Sequence, residues 1–120
     1  ADSTDLATPT SPTPTTLPDD ANLVLVIDDD RTIRDLMVRH LNQQGCRVVT
    51  TWCGEEGLRL ARELCPDVII LEMIMPSLDS WGTLAALKAD SRLADIPVIM
   101  IAMHDHRNVG FVLGLSDALN

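Results

Sequence analysis

The stretch that decides the fold is LVLVIDDDRTIRDLM, residues 23–37. It opens with five consecutive apolar residues, Leu23 to Ile27, which is typical of a short strand covered on both faces of a parallel sheet. Three aspartates follow the strand, and an amphipathic helical pattern follows the aspartates. The stretch therefore predicts a buried strand, an acidic turn and a helix. The apolar helical positions are Ile33, Leu36, Met37 and Leu41, and Gly45 is placed to end the helix.

The same strand–helix alternation continues along the chain. Predicted strands lie at 23–27, 46–52, 67–71 and 97–102, predicted helices at 32–45, 54–65, 81–90 and 107–115, and a fifth strand begins at 116–120. Repeated βαβ units with right-handed crossovers predict an α/β fold, a doubly wound parallel sheet with helices on both faces. The apolar stripes of the second and third helices are expected to be Leu58, Ala61 and Leu64, and Trp81, Leu84 and Leu87.

Residues 1–22 differ in kind from the rest of the chain. The tract ATPTSPTPTTLP, residues 7–18, has no periodic apolar face and favours extended, polyproline-like backbone. We interpret residues 1–22 as a Thr/Pro-rich flexible linker and residues 23–120 as the folded domain. A recognition segment for a proline-binding partner is the alternative. A linker implies a further domain, so the chain is expected to be one piece of a multidomain protein.

Composition restricts the classes of function. The 120 residues carry a formal net charge of −9, which gives no electrostatic support for nucleic-acid binding. No apolar run is long enough to predict a membrane span. The three cysteines lack metal-like spacing and are expected to be small core residues in a reduced, cytoplasmic setting. They are Cys46, Cys53 and Cys65.

Acidic residues end two of the predicted strands. Asp28 and Asp29 follow the first strand and Glu72 follows the third. If those strands are neighbours, the three carboxylates meet at one edge of the sheet and repel one another unless they are protonated or neutralised by a cation. Oxygen ligands favour a hard divalent ion, most simply Mg²⁺. The alternative is that Asp30, and also Asp28, cap the first helix.

Several motifs together resemble a response-regulator receiver domain. They are LVLVIDDDRTIRDLM, PDVIILEMIMPSLDSWGTLAALKAD, IPVIMIAM and GLSDALN, which match in order and spacing from residue 23 to residue 120. The resemblance implies a flavodoxin-like sheet of strand order 2-1-3-4-5 flanked by five helices. It also implies a histidine kinase, or an adjacent kinase domain, as phosphoryl donor, an acceptor aspartate at the end of the third strand, and bound Mg²⁺.

The resemblance assigns the metal site and the acceptor position. Asp28 and Asp29 match the acidic pair that holds the ion, and Ile74 matches the residue that offers its backbone carbonyl. Met75 and Pro76 match the pair that follows the acceptor. Glu72 stands at the acceptor position itself, where the family has aspartate, and is counted among the ligands of the ion.

Further positions depart from the family pattern. Ala102 stands at the position of the switch hydroxyl, Ser or Thr, and Ala118 at that of the switch Tyr or Phe. The family lysine would directly follow Asn120, so this sequence does not contain it. The sequence also stops before a fifth helix, and the face left uncovered leads us to expect a homodimer.

These departures predict a receiver with a degenerate acceptor site that serves as a phosphorylation-independent interaction module and is not an enzyme. A hybrid sensor kinase or another multidomain regulator is the expected context. One alternative keeps Glu72 as a working acceptor, and another has it imitate the phosphorylated state. A third is a haloacid-dehalogenase-like phosphatase, because Asp28, Asp30 and Thr32 form a DxDxT pattern. Those enzymes need a later lysine and a later acidic pair, but the only lysine, Lys88, lies on a predicted helix and no pair of aspartates follows the fourth strand.

Overall fold

The computed structural model describes residues 18–73 and 79–102, and its elements alternate as predicted. The predicted linker up to residue 17, the helix at 107–115, the strand at 116–120, Ile74 and Ala118 lie outside the described residues. No described helix has the length and apolarity of a membrane span. The elements are β1 Leu23–Ile27, α1 Arg31–Gln43, β2 Arg47–Thr51, α2 Gly54–Leu64, β3 Val68–Glu72, α3 Ser80–Ala89 and β4 Val98–Ile101.

The four strands form one parallel sheet with the order β2-β1-β3-β4. This order confirms the predicted arrangement for the part of the chain that the structure describes. β1 and β3 are central, and every residue of both strands is buried. Their continuous apolar runs are explained by this position, because a central parallel strand has helices over both of its faces.

The two faces of the sheet carry different helices. On one face, Ile33, Met37 and Leu41 of α1 pack in one core cluster with Val24 and Val26 of β1. On the other face, α2 and α3 contribute to a second core cluster that contains alternate residues of β1. The sheet is therefore doubly wound. The second cluster includes Leu25, Ile27, Ala61, Ile69, Leu71, Leu87 and Leu93.

Local residues explain where the first helix begins and ends. Asp30 is the N-cap of α1, and its carboxylate accepts hydrogen bonds from the backbone N–H groups of Thr32 and Ile33. Gly45 follows α1 with a φ of 88°, a left-handed conformation that glycine adopts without steric cost.

The predicted burial of α2 was wrong at one end of the helix. Leu64 is exposed, and the buried positions are Gly54, Gly57 and Ala61. A Cβ at Gly57 would lie 2.5 Å from Cδ1 of Ile27, so the backbone of α2 approaches β1 at this residue more closely than a side chain permits. Small residues therefore form the contact face.

Other sequence expectations also need correction. Trp52 lies beyond β2 and Trp81 points away from the core, since the buried positions of α3 are Ser80, Thr83 and Leu87. Of the cysteines, Cys46 is buried as expected, but Cys53 is half-buried and Cys65 is exposed. Cys65 follows the last residue of α2 with a φ of 48°, and its side chain lies outside the core.

Candidate functional site

The sheet register brings the predicted acidic residues to one edge. Ile27 and Leu71 are partners in the pairing of β1 with β3, so the next residues, Asp28 and Glu72, lie beside each other at the carboxyl ends of these strands. Both residues are buried. The predicted convergence of the two carboxylates thus follows from the adjacency of two central strands.

Asp28 is held from several directions. Its backbone N–H donates to the carbonyl of Thr51, and its own carbonyl accepts a hydrogen bond of 2.8 Å from Nη1 of Arg34. Its Oδ1 accepts from the backbone N–H of Asp30 at 2.9 Å. Its Oδ2 is buried and has no hydrogen-bond partner among the described residues. One carboxylate oxygen therefore orders the turn while the other is left without a donor.

The environment of Asp28 disfavours its charged form. The pKa of Asp28 is raised from 3.8 to about 7 by several causes acting together, of which burial is the largest. The hydrogen bond from the Asp30 backbone lowers the pKa in part, and the negative charges of Glu72, Asp29 and Asp30 raise it further. A cation beside this carboxylate would reverse the balance by stabilising the ionised form.

The three consecutive aspartates have different roles. Asp30 is exposed and caps α1, so the capping alternative holds for this residue. Asp28 is buried behind it, and Asp29 is half-buried between the two. Capping therefore accounts for one aspartate of the three. The phosphatase alternative needs Asp30 to face a substrate, and its engagement with the first turn of α1 disfavours that role.

Glu72 is the last residue of β3 and is 3% exposed. Its Cα is paired with that of Ile101 in β4. Its backbone carbonyl accepts a hydrogen bond of 2.6 Å from the buried Oγ of Ser80, the first residue of α3. This bond ties the end of β3 to the start of α3 across the intervening loop.

Sequence reasoning missed two residues that support the site. Ser80 was assigned no role, although Asp79 before it is a recognisable N-cap whose carboxylate accepts from the N–H of Gly82 at 2.9 Å. Arg34 has no predicted role either, and from its position one turn inside α1 its Nη1 donates a hydrogen bond to the carbonyl of Asp28. Neither contact has a sequence motif of its own.

The switch-equivalent positions are only in part within the described residues. Ala102 directly follows Ile101, the strand partner of Glu72, and therefore lies at the same edge of the sheet. Its methyl group offers no hydroxyl toward that edge. Ala118 and the carbonyl of Ile74 fall outside the described residues, so their predicted roles are not tested.

The described residues fit a divalent cation in part. Within 18–73 and 79–102, no three His, Cys, Asp or Glu side chains are grouped so that they could hold a metal ion. The chemistry of the donors is nevertheless suitable, because Asp28 offers a buried oxygen without a donor in a negative field and Asp29 is adjacent to it. Among the described residues, this edge thus offers oxygen donors of the kind that Mg²⁺ prefers but no complete set of side-chain ligands.

Comparisons with known proteins agree with this geometry. A family model for the response regulator receiver domain matches residues 24–119. The "Probable transcriptional regulator ycf27" of Guillardia theta is 40% identical over 97 residues, which cover 78% of this chain and 37% of that relative. This chain therefore spans well under two thirds of the relative's length.

Two solved structures share the fold. The N-terminal domain of a response regulator receiver protein from Methanoculleus marisnigri superposes with a TM-score of 0.64 at 34% identity, over 78% of this chain and 77% of that chain. The signal receiver domain of a signal transduction histidine kinase from Syntrophus aciditrophicus gives a TM-score of 0.64 at 29% identity, over 79% and 71%. The chain belongs to the family of response-regulator receiver domains, the receiving modules of two-component signal transduction.

Proposed function

We propose that this receiver domain acts as a phosphorylation-independent interaction module whose acceptor site is degenerate. The observation that carries the proposal is the burial of Glu72, rather than an aspartate, at the end of β3 beside Asp28. The family transfers a phosphoryl group to a carboxylate at this position. The length and surroundings of Glu72 make this carboxylate a poor acceptor.

The reason is geometric. Glutamate carries one methylene more than aspartate, so its carboxylate extends toward the space that an incoming phosphoryl group would occupy. In-line transfer requires close positioning of the nucleophile, and a displacement of about 1 Å can reduce the rate by about a hundredfold. The hydrogen bond from Ser80 to the backbone of Glu72 holds this end of the strand in place. The site therefore has little freedom to compensate for the longer side chain.

The switch position reinforces the argument. Ala102 lies at the edge of the sheet where the family places a hydroxyl that binds the transferred phosphoryl group. Removing one donor to developing negative charge typically costs about 3 kcal/mol of transition-state stabilisation. Ala118 is proposed to stand at the position of the aromatic partner of the switch, where its methyl group cannot replace the aromatic ring. Phosphoryl transfer to Glu72 would thus be slow, and neither Ala102 nor Ala118 could respond to the phosphorylated product.

Magnesium is proposed as a weakly bound cofactor. Asp28, Asp29 and the carbonyl of Ile74 would hold the ion, together with Glu72 if its carboxylate turns toward them. When bound, the ion would neutralise the acidic edge and orient phosphoryl oxygens. The buried Oδ2 of Asp28 supports this assignment. The chain's own carboxylates make the edge receptive to a cation whether or not transfer occurs.

The proposed setting is a multidomain signalling protein of the cytoplasm. A histidine kinase, or a kinase domain in the same polypeptide, is the proposed partner, and the receiver domain of the Syntrophus aciditrophicus kinase supports a hybrid arrangement. A transcriptional regulator remains the alternative context, because the Guillardia theta relative is described as one. We propose no catalytic residue for this domain, and a homodimer is included in the proposal as its assembly state.

Intact-mass measurement after incubation with acetyl phosphate and Mg²⁺ tests the proposal. We expect no added phosphoryl group on the parent chain, while a phosphorylatable receiver domain in the same reaction gains one. Glu72→Asp alone should recover little, because Ala102 is still unable to bind the phosphoryl oxygens. A hydroxylamine-labile gain of one phosphoryl group that disappears in Glu72→Gln would show that Glu72 is a working acceptor and would overturn the proposal.

A further inference from the structure

β2 is an edge strand of the sheet within the described residues. It pairs with β1 on one side, and the strand order β2-β1-β3-β4 leaves its other side without a strand partner in this part of the chain. Arg47 and Thr51 make their backbone hydrogen bonds toward β1, to the residues that flank that strand. Since neighbouring residues of a strand direct their N–H and C=O groups to opposite sides, those of Val48 and Thr50 point toward the open edge.

This edge lacks the usual protection against pairing with another chain. Exposed N–H and C=O groups of an edge strand are a template for a further strand, and proteins commonly block them with lysine, proline or a bulge. β2 has the sequence RVVTT, in which four of five residues are β-branched, and its register with β1 is continuous. Its geometry and composition therefore suit the addition of an extended, uncharged segment.

The chain turns sharply before β1. The N–H of Ala21 donates to the carbonyl of Pro18 at 3.0 Å, a β-turn that reverses the chain direction. The guanidinium of Arg47 donates to the carbonyl of Ala21 from Nε at 3.1 Å and from Nη2 at 3.0 Å. The turn is therefore tied to the first residue of β2, and an antiparallel segment beside β2 would lead directly into it.

The sequence before this turn has the pattern of an edge strand. Residues 10–16 read TSPTPTT, which contains four threonines and no charged residue. Threonine is favoured in strands, whereas proline is tolerated only where its missing N–H would face away from the neighbouring strand. Pro12 and Pro14 are two residues apart, so in a strand both face the same side. The residues that alternate with them, Ser11, Thr13 and Thr15, keep their N–H groups for the other side.

We propose that residues 10–16 add to β2 as an antiparallel edge strand of the same chain. The odd-numbered residues, with Thr13 at their centre, would exchange backbone hydrogen bonds with Val48 and Thr50. The two prolines would face outward and end the sheet, because they offer no N–H to a further strand. Neighbouring strands lie about 4.8 Å apart, a step that Leu17 can span between this strand and the turn. The Thr/Pro tract would thus close the β2 edge to other chains.

A second copy of the chain is disfavoured as the occupant of this edge. Each copy carries a formal charge of −9, so two whole domains that meet edge to edge repel each other. Residues 10–16 add no charge, and the turn at Pro18–Ala21 keeps them close to β2 at a high effective concentration. Both considerations favour the chain's own segment.

This inference is independent of the proposed function. The open edge of β2 lies on the far side of β1 from β3, the strand that ends at Glu72. Pairing at the edge requires neither phosphoryl transfer nor a metal ion. A negative result here leaves the degenerate acceptor site untouched, and phosphorylation of Glu72 leaves the β2 edge untouched.

Amide hydrogen exchange of the whole chain, followed residue by residue by NMR, tests the inference. At an open edge the N–H groups of Val48 and Thr50 meet solvent and exchange quickly. With the added strand we expect both to exchange at least about tenfold more slowly than unprotected amides. The N–H of Val49 faces β1 and is the internal reference for a paired strand. Exchange of Val48 and Thr50 at the rate of unprotected amides would overturn the inference, and this measurement needs no variant.

Two proline variants outside the folded domain form a matched pair. Thr13→Pro removes an N–H that faces β2 in the proposed strand, whereas Thr16→Pro makes the same substitution at a position that faces away. We expect Thr13→Pro to speed the exchange of Val48 and Thr50 at least about tenfold, and Thr16→Pro to alter it less than about twofold. The exchange of Val49 should stay the same in both variants. Equal effects of the two substitutions, or no effect of Thr13→Pro, would overturn the inference.

Dilution distinguishes the chain's own segment from that of a second copy. Pairing within one chain does not depend on protein concentration, so protection of Val48 and Thr50 should be unchanged over an about tenfold dilution. Loss of their protection on dilution would overturn the inference, because it would show that the strand comes from another copy.

Discussion

The buried carboxylate of Asp28 destabilises the folded domain when it is ionised. A buried carboxylate with one oxygen lacking a donor is costly, and the neighbouring charges of Glu72 and Asp29 add to the cost. The domain accepts this arrangement at a residue that we propose as a ligand of Mg²⁺. Its free energy of unfolding should therefore depend on whether Asp28 is protonated, ionised or near a cation.

Stability should depend on pH through Asp28. The folded-state pKa of about 7 lies above the ordinary value of 3.8, so the folded state holds a proton that the unfolded chain has lost between these values. The contribution of Asp28 to stability is thus greatest below about pH 4 and decreases as pH rises to about 7. Asp28→Asn keeps the acceptor for the Asp30 N–H and removes the titration. We expect its stabilising effect in urea unfolding to be roughly 2 kcal/mol larger at pH 8 than at pH 5.

Asp35→Asn is the matched control for this measurement. Asp35 is exposed on α1, where it pairs with Arg31 across one helical turn. Exposed pairs of this kind contribute little to stability, so this variant should differ from the parent by less than about 1 kcal/mol at both pH values. A constant gap between the parent and Asp28→Asn over the same pH range would contradict the assignment of the shifted pKa to Asp28.

At the scale of the element, α2 shows how one missing side chain sets a helix position. Leu58 is half-buried and Leu64 is exposed, so the helix does not rest on a stripe of leucines. It rests on Gly54, Gly57 and Ala61, whose small size brings the helix backbone close to β1.

Gly57→Ala should destabilise the domain although alanine favours helix formation. The added Cβ would meet Cδ1 of Ile27 at 2.5 Å, and overpacking of this kind typically costs about 1 to 3 kcal/mol against a propensity gain of about 1 kcal/mol. Ile27→Val removes the atom that the Cβ would meet. We therefore expect the double variant to be more stable than the sum of the two single effects, measured as a double-mutant cycle in urea. Strict additivity would show that the helix shifts freely and that Gly57 does not determine its position.

The whole molecule is dominated by negative charge. The formal charge of −9 is spread over 120 residues, and the ion pairs of the described residues are mostly exposed and local to one helix. Such pairs contribute little, whereas the summed repulsion acts on the compact state as a whole. Added salt should therefore stabilise the domain by screening, and a specifically bound cation should add to that effect.

Magnesium should raise the thermal midpoint more than an equal ionic strength of potassium chloride. Both salts screen the net charge, but only Mg²⁺ can coordinate the oxygens near Asp28 and Asp29. Differential scanning fluorimetry at pH 8 with matched ionic strength measures the difference. Asp29→Ala should reduce the extra shift, and the exposed Asp95→Ala should leave it unchanged. Identical midpoints in the two salts would indicate that the longer side chain of Glu72 already fills the position of the ion.

By itself the sequence determined the order of elements and the central part of the sheet. Continuous apolar runs at 23–27 and 68–71 require cover on both faces, and the turns between them carry recognisable caps such as Asp30. The same reasoning located the acidic edge, because parallel strands all end on one side of the sheet. Strand periodicity and capping are local properties, so they can be read along the chain.

Only the tertiary structure decided which side chains are buried and which are bonded at the site. Helical spacing placed Leu64 and Trp81 in the core, yet both are exposed, because the approach of a helix depends on small residues facing a particular strand. The hydrogen bond from Ser80 to the carbonyl of Glu72 joins residues of two different elements. The Oδ2 of Asp28 is buried by other elements and has no hydrogen-bond partner among the described residues. Burial and hydrogen bonding are properties of an assembled neighbourhood, and no local pattern in this chain contains them.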